Sequence, residues 1–270
     1  MMGSSEFASG KLVLDRPAEA VARITIRNPE KRNALDHEIL DGIAALMREL
    51  DDGIATRCLI VTGSDGMFSA GYDIGDIPDE VFAEEAERLV AHPFSRAIEA
   101  VERFPFPTLA AINGHALGGG LELAVTCDLR IAGAGFKLGM PPAKLGLIYS
   151  HTGIQKFIDA VGPARTRELF LTGRNVSAER AEQIGLVHEA VPRDETGRRA
   201  VELAAEIAGN APLSLKGNKR IIHELLTFPR LSERLESEVI ELRMSSFRSA
   251  DFREGVRAFG EKRDPRWQGR

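Results

Sequence analysis

The chain has 270 residues, of which 43% are apolar and 28% are charged, and its formal net charge is −5. This composition excludes a fibrous or disordered class, and the negative balance gives no overall positive field for nucleic acid. The two cysteines, Cys58 and Cys127, lie in apolar runs without CxxC or Cys/His spacing, so we expect no metal site. Neither a signal peptide nor a membrane-spanning run is recognisable, which predicts a cytoplasmic protein.

The first half of the chain alternates strand and helix patterns. Residues Val21–Ile26 alternate apolar and polar side chains and predict a strand. Asp36 is placed to cap a helix that continues to about Leu50. Residues Cys58–Thr62 predict a strand buried on both faces, followed by a Gly- and Asp-rich loop. A helical pattern then covers residues 79–104.

The second half begins with another buried strand, Thr108–Ile112, and a helix that opens at Gly118-Gly119-Gly120. Two short strands are predicted near residues 129–132 and 136–139, and one more at residues 186–191. Long amphipathic helices are predicted at residues 194–209, 212–226, 232–247 and 249–262. This order predicts an α/β core over residues 11–200 and a C-terminal helical region over 201–270, too thin to bury its own apolar side chains and therefore expected to pack against other subunits.

Two glycine-bearing loops follow two of the buried strands, at residues 68–74 and 114–122. Glycine lets a backbone approach a ligand closely, and the first N–H groups of a helix have no internal acceptor. Two such N–H groups converging on one oxygen form an oxyanion hole. A tight structural turn is the simpler alternative for three consecutive glycines. A phosphate loop lacks the expected Gly-Lys-Ser/Thr, and the spacing does not fit a dinucleotide fingerprint.

Several separate motifs, in order along most of the chain, resemble the enoyl-CoA hydratase/isomerase (crotonase) superfamily. These are NPEKRNAL at 28–35, FSAGYDI at 68–74, AAINGHALGGGLELAVTCDLRIAG at 110–133, LTGRNVSAERAEQIGLVHEAV at 171–191 and FREGVRAFGEKR at 252–263. The resemblance implies a spiral of ββα turns with a C-terminal helical oligomerisation region. It also implies a homotrimer or a hexamer of two trimers.

By the same resemblance, the backbone N–H groups of Tyr72 and Gly119 are the expected oxyanion donors. Coenzyme A would be part of the substrate, so no separate cofactor is expected. The implied substrate- and coenzyme-A-binding residues are Lys31, Arg32, Ala34, Ala70, Gly71, Asp73, Ile74, Gly118, Pro142, Phe259 and Lys262. Phe259 and Lys262 match residues that often reach the coenzyme of a neighbouring subunit.

The sequence departs from the hydratases of this superfamily at one of two catalytic glutamates. Glu122 matches the first, but the second position is Pro142, which has no side-chain acid. Hydration by paired carboxylates is therefore not available. The segment MPPAKLGLIYSHTGI, with a bulky Tyr72 after Ala-Gly and Tyr149 in the returning loop, is similar to the methylmalonyl-CoA decarboxylase branch.

This similarity implies decarboxylation of a malonyl-type thioester. The oxyanion hole would stabilise the enolate, Tyr149 would hold the departing carboxylate, and water or Glu122 would return a proton to the α-carbon. A buried Glu122 needs a partner, for which His115 and His151 are candidates. Tyr149 as a half-buried structural aromatic is the alternative.

Other functions stay open on the sequence alone. A hydratase or dehydratase could use Glu122 by itself, and thioester hydrolysis or C–C cleavage also occur on this fold. A more distant alternative is RNA binding through a short basic patch of Lys216, Lys219 and Arg220.

Overall fold

The computed structural model of the protein describes residues 4–73, 90–145, 147–227, 234, 237–238 and 249–270, without the side chains of residues 90, 91, 253, 256, 259 and 260. Its strands form two sheets. The strands are β1 Ser5–Phe7, β2 Leu12–Ala18, β3 Val21–Ile26, β4 Cys58–Gly63, β5 Met67–Ser69, β6 Thr108–Ile112, β7 His115–Leu117, β8 Leu129–Gly133, β9 Lys137–Gly139, β10 Val176–Ser177 and β11 Glu189–Val191.

The helices pack around both sheets and dominate the last third of the chain. They are α1 His37–Glu49, α2 Ser95–Glu102, α3 Gly119–Thr126, α4 His151–Thr172, α5 Ala178–Gln183, α6 Thr196–Ala208, α7 Pro212–Thr227 and α8 Ala250–Glu261. A π-helical segment at Val90–Phe94 leads directly into α2. None of the helices among the described residues is long and apolar enough to cross a membrane.

The larger sheet has the order β1-β2-β3-β4-β6-β8-β11. Its first two pairings are antiparallel, and every pairing from β3 to β11 is parallel. All six residues of the central strand β4 are buried. A strand buried on both faces needs apolar side chains throughout, which explains the continuous apolar run in the sequence.

The two faces of this sheet are covered differently. On one face, three alanines of α6 pack against Val21, Ile60 and Leu109 in a small apolar cluster. On the other face, α1 and α2 contribute to the main core. Helix α6 is thus part of the sheet's packing, and it spans the predicted boundary at residue 200, so the division into residues 11–200 and 201–270 stays a prediction.

The smaller sheet sets up the site. It has the order β10-β9-β7-β5, with β5, β7 and β9 parallel to one another. Parallel strands end at the same edge of a sheet, so the chain leaves all three strands side by side. Three loops therefore start from one edge, at residues 70, 118 and 140.

The α/β fold and most predicted elements are confirmed. Strand β3 has the predicted bounds, and Asp36 caps α1 by accepting a hydrogen bond from the Ile39 N–H at 2.8 Å. The strand predicted at residues 186–191 is wrong in extent, because only Glu189–Val191 pair with β8. Residues 79–89 of one predicted helix, and most of the helix predicted at 232–247, lie outside the described residues.

Candidate active site

The first loop from the small sheet carries Gly71 and Tyr72. The carbonyl of Gly71 accepts from the Leu35 N–H at 2.7 Å, and the Asp73 N–H donates to the Leu35 carbonyl at 3.1 Å. These two bonds bracket Tyr72, whose own N–H has no hydrogen-bond acceptor among the described residues. The backbone of this loop is therefore fixed on both sides of the residue expected to supply an oxyanion donor.

The second loop brings Gly118 and Gly119 to the same place. Gly118 has φ 53° and ψ −126° and precedes the first turn of α3, so its conformation suits only glycine well. Its N–H donates to the Gly139 carbonyl at 3.0 Å. Gly119 begins the helix, and its N–H likewise has no acceptor in the described part of the chain.

The two loops touch through their backbones. A Cβ atom added at Gly71, which has φ +100°, would lie 2.9 Å from the Leu117 carbonyl oxygen and 3.1 Å from the Gly119 nitrogen. Only a glycine lets the first loop come this close to the start of α3. The geometry thus brings the predicted donors Tyr72 and Gly119 together at a helix N-terminus, where partial positive charge favours an anion.

A side-chain cluster borders these N–H groups and consists of Glu122, Tyr149 and Tyr72, which we call the Glu–Tyr–Tyr cluster. The Tyr149 hydroxyl donates to Glu122 Oε2 at 2.5 Å, and the Tyr72 hydroxyl donates to the Tyr149 hydroxyl at 3.1 Å. Glu122 is 2% exposed and Tyr149 is 8% exposed. The partner of Glu122 is therefore a tyrosine.

The prediction that His115 or His151 is the partner of Glu122 is wrong. His115 accepts a hydrogen bond from the Lys137 N–H at 2.9 Å and packs edge-on against Phe136. His151 is an exposed residue at the start of α4. The sequence offered no pattern that linked Glu122 to Tyr149, because the contact joins residues 27 positions apart in different elements.

Burial shifts the titration of the whole cluster. It raises the pKa of Glu122, while the hydrogen bond from Tyr149 and the positive charge of Lys156 hold that pKa down in part. Burial also raises the pKa of Tyr149 and of Tyr72, and the charge of Glu122 adds to both shifts. Both tyrosines therefore stay protonated at neutral pH and act as hydrogen-bond donors.

Two residues of the site were not predicted from the sequence. A Cβ at Gly153, in the first turn of α4, would lie 2.6 Å from Tyr149 Cε1 and 3.0 Å from Glu122 Oε1. The glycine lets both side chains pack against this turn. A glycine in the first turn of a predicted helix is the sequence feature that could have indicated this close contact. Lys156, one turn later, pairs with Glu102 at 2.7 Å.

Some of the predicted coenzyme-A-binding residues lie beside the first loop, and others lie outside the described residues or near the end of the chain. Lys31 Nζ pairs with Asp73 Oδ2 at 2.9 Å, and the Ala70 N–H donates to the Arg32 carbonyl at 3.1 Å, so the segment around residues 31–35 lies beside the first loop. Ala34 is buried there. Ile74 lies outside the described residues, as does the side chain of Phe259, and Lys262 is exposed after α8. The binding roles of all of them stay predictions.

Pro142 lies where the resemblance to hydratases leads us to expect a second glutamate. It is buried at the start of a single 3₁₀ turn, Pro142–Leu145, and its carbonyl accepts from the Leu147 N–H at 2.9 Å. The third loop then continues to Tyr149. Glu122 is therefore the one carboxylate of the Glu–Tyr–Tyr cluster. The third loop, where a second acid was expected, contributes the phenol of Tyr149 instead.

The basic patch considered for RNA is largely compensated. Lys219 pairs with Asp128 at 2.6 Å, Arg220 pairs with Glu238 at 3.0 Å, and Lys216 lies over the Phe106 ring at 4.6 Å. Paired cations leave little positive potential for phosphates, so these contacts do not favour RNA binding. In the described part of the chain, no group of three or more His, Cys, Asp or Glu side chains is arranged to hold a metal ion.

Comparisons with known proteins agree with this architecture. The sequence model of the family described as "Enoyl-CoA hydratase/isomerase" matches residues 16–270. A Bacillus subtilis protein named "Probable enoyl-CoA hydratase" is 36% identical over 251 residues, covering 92% of this chain and 95% of that protein.

Solved structures are also similar. The crystal structure of an enoyl-CoA hydratase from Bacillus anthracis superposes with a TM-score of 0.87 at 30% identity, over 96% of this chain and 100% of that one. The structure of Pseudomonas aeruginosa DspI gives a TM-score of 0.85 at 35% identity, over 96% and 97% of the two chains.

Proposed function

Because the chain belongs to the enoyl-CoA hydratase/isomerase family, we propose that it acts on an acyl-CoA thioester and stabilises the enolate of that thioester. The thioester oxygen would accept hydrogen bonds from the N–H groups of Tyr72 and Gly119. Charge develops on this oxygen in the transition state, so donors held rigidly in place favour the transition state over the substrate. The bracketed backbone of Tyr72 and the start of α3 supply that rigidity.

The reaction we propose is decarboxylation of a malonyl-type thioester. The observation that carries it is the Tyr149 hydroxyl, which is buried, remains protonated and lies in hydrogen-bond contact with the only carboxylate of the cluster. A phenol with a raised pKa keeps its proton at neutral pH, so it is a poor proton donor to carbon but can still donate a hydrogen bond to an anion. When Glu122 is protonated, as the proposed reaction requires, it no longer needs the proton of Tyr149, and the Tyr149 hydroxyl could donate to a substrate carboxylate instead.

In the proposed step, the bond between the α-carbon and the substrate carboxylate breaks, and CO₂ leaves. The electron pair of that bond passes to the enolate, whose oxygen is held at the two N–H groups. A proton then adds to the α-carbon and gives the shorter acyl-CoA. Glu122 is suited to supply this proton, because burial raises its pKa and a second nearby carboxylate would raise it further.

The second candidate is hydration of an enoyl-CoA by Glu122 alone. The printed names of the relatives from Bacillus subtilis and Bacillus anthracis favour it. In this reaction ionised Glu122 would accept a proton from water as the water oxygen adds to the β-carbon, and would then donate that proton to the α-carbon. One carboxylate would thus act as both base and acid. The Pro142 position and the raised pKa of Glu122 make the site less suited to this role.

The assembly and location belong to the same proposal. A homotrimer or a hexamer would cover Ile222, Leu225 and Leu226 of α7, each at least half exposed in the single chain. Coenzyme A would enter as part of the substrate, without a separate cofactor. We propose a cytoplasmic enzyme on the basis of the sequence features described above.

The test is a parallel assay on methylmalonyl-CoA and crotonyl-CoA, with products separated and identified by mass. Wild type should convert methylmalonyl-CoA to propionyl-CoA, and Tyr149→Phe should reduce kcat by about 10²-fold, the loss typical for one oriented donor. Glu168→Gln on α4, whose exposed carboxylate pairs with Arg165, serves as a control outside the cluster.

Hydration of crotonyl-CoA that is lost in Glu122→Gln and retained in Tyr149→Phe would replace decarboxylation by the second candidate. Turnover of neither thioester would contradict both reactions for four-carbon acyl groups.

A further inference from the structure

The side chain of Tyr72 has no part in the chemistry described so far, which uses only its N–H. Its ring nevertheless occupies the centre of the site. A Cβ at Gly119 would lie 2.5 Å from Tyr72 Cε1, so the ring rests directly on the first residue of α3. Phe94 packs edge-on against the ring with centroids 4.6 Å apart. The ring of Tyr149 lies nearly parallel to it, with an interplanar angle of 8°.

The hydroxyl groups of the two tyrosines form a chain with one direction. Each phenol has a single proton, and the proton of Tyr149 is donated to Glu122. The Tyr149 oxygen then has lone pairs to satisfy, and the Tyr72 hydroxyl donates to it at 3.1 Å. Consecutive hydrogen bonds polarise one another in a buried environment, so the outer bond strengthens the inner one.

We propose that Tyr72 is a positioning residue for Glu122, and that its hydroxyl acts by fixing and polarising the Tyr149 hydroxyl. Without the outer donor, the Tyr149 O–H loses the contact that orients it toward Glu122. This inference rests on the proposed function only in placing Glu122 and Tyr149 at the reaction centre. It does not depend on which of the two reactions the enzyme performs.

Other charged groups that act on Glu122 must be considered with it. Lys156 on α4 favours the ionised carboxylate, and Glu102 at the end of α2 disfavours it. These two pair with each other at 2.7 Å, so their effects partly cancel. The Tyr149 and Tyr72 hydroxyls both lower the pKa of Glu122, against the larger effect of burial. Removing the Tyr72 hydroxyl should therefore raise that pKa.

The composition of the chain provides a direct probe. Tyr72 and Tyr149 are its only two tyrosines, so protein labelled with ¹³C at tyrosine Cζ gives two NMR signals, both from the site. The Tyr149 signal should titrate with Glu122, and Glu122→Gln should abolish that titration. In Tyr72→Phe, which keeps the ring and the backbone N–H, we expect the Tyr149 midpoint to move to higher pH.

Kinetics should follow the same shift. With whichever thioester wild type turns over, Tyr72→Phe should lower kcat on the order of 10-fold, below the 10²-fold typical of a misplaced catalytic group, with KM nearly unchanged. The limb of the pH profile governed by Glu122 should move upward. A Tyr149 midpoint that stays where it is in Tyr72→Phe would overturn the proposal, even if activity falls, because a purely structural role of the ring predicts that result.

A second measurement keeps both tyrosine hydroxyls and changes only their acidity. Replacing both tyrosines by 3-fluorotyrosine makes the hydroxyls stronger donors without removing either ring. The proposal predicts that the pH limb of Glu122 moves further toward lower pH in this protein than in Tyr72→Phe carrying 3-fluorotyrosine only at position 149, and equal shifts in the two proteins contradict it. Because the NMR titration needs no substrate, a negative result there is distinguishable from a failure of the enzyme to turn over malonyl-type or enoyl thioesters.

Discussion

The two halves of the site are built in different ways. The backbone half, Gly71–Tyr72 and Gly118–Gly119, is held by hydrogen bonds to Leu35 in an isolated bridge and to Gly139 beyond the end of β9. The side-chain half, the Glu–Tyr–Tyr cluster, is held by packing of aromatic rings around one buried carboxylate. The first half presents the same N–H groups whatever side chains surround it, so we propose that the second half selects the reaction.

Insertion of one methyl group into each half tests this difference, and the largest effect is expected in the backbone half. Gly71→Ala places a Cβ 2.9 Å from the Leu117 carbonyl at a φ of +100°, so the loop must move away from Gly119. We expect kcat/KM to fall by about 10²–10³-fold, as for loss of one oxyanion donor.

The control is Gly197→Ala in α6, where the added Cβ meets nothing within 4 Å. It should keep full activity and gain up to about 1 kcal/mol from helix propensity. Activity of Gly71→Ala within a few-fold of the control would show that the backbone half is not the source of catalysis.

The same insertion in the side-chain half should have a smaller effect. Gly153→Ala would bring a methyl group to 2.6 Å from Tyr149 Cε1, and the ring has little room to yield because Phe170 packs against it. We expect kcat to fall on the order of 10-fold through displacement of the Tyr149 hydroxyl. The check is kcat together with the circular dichroism spectrum, which should be unchanged. An equal loss in Gly71→Ala and Gly153→Ala would remove the distinction between the two halves.

The smallest effect concerns stability and is a property of the side-chain half alone. Burial raises the pKa of Glu122 above its ordinary value, so ionisation of this group opposes folding. The neutral carboxyl therefore contributes stability to the folded state at low pH. That contribution is lost as pH rises from the unfolded pKa through the folded pKa of Glu122. Glu122→Gln should therefore raise the melting temperature at pH values above the folded pKa and give no gain below about pH 4, where both states are protonated.

The matched variant is Glu168→Gln on α4, whose carboxylate is exposed and has its pKa lowered by Arg165. It should not reproduce the gain. A melting temperature of Glu122→Gln that is lower than wild type at every pH would mean that the bond from Tyr149 outweighs the cost of burying the charge.

The sequence predicted the strongly patterned elements and the short strands near residues 129–132 and 136–139, but it missed other strands, among them β2 and β7. Strand β4 and the Asp36 cap of α1 follow from local composition, and both are confirmed. Strand β2 was missed because Pro17 and a register shift between Asp15 and Ala18 interrupt its alternation. Strand β7 is three residues long and follows Asn113-Gly114, which reads as a turn. Such a strand exists because its neighbours pair with it, and propensity over three residues cannot reveal that.

The sequence by itself determined the family, the α/β architecture and the two glycine loops, because glycine positions and buried apolar runs are local properties of the chain. It also showed that Pro142 stands where a second carboxylate was expected. Only the tertiary structure decided the partner of Glu122 and the order of the two tyrosine hydroxyls. Those contacts join residues 27 and 77 positions apart, through three loops that leave one sheet edge, and no sequence periodicity records such a meeting.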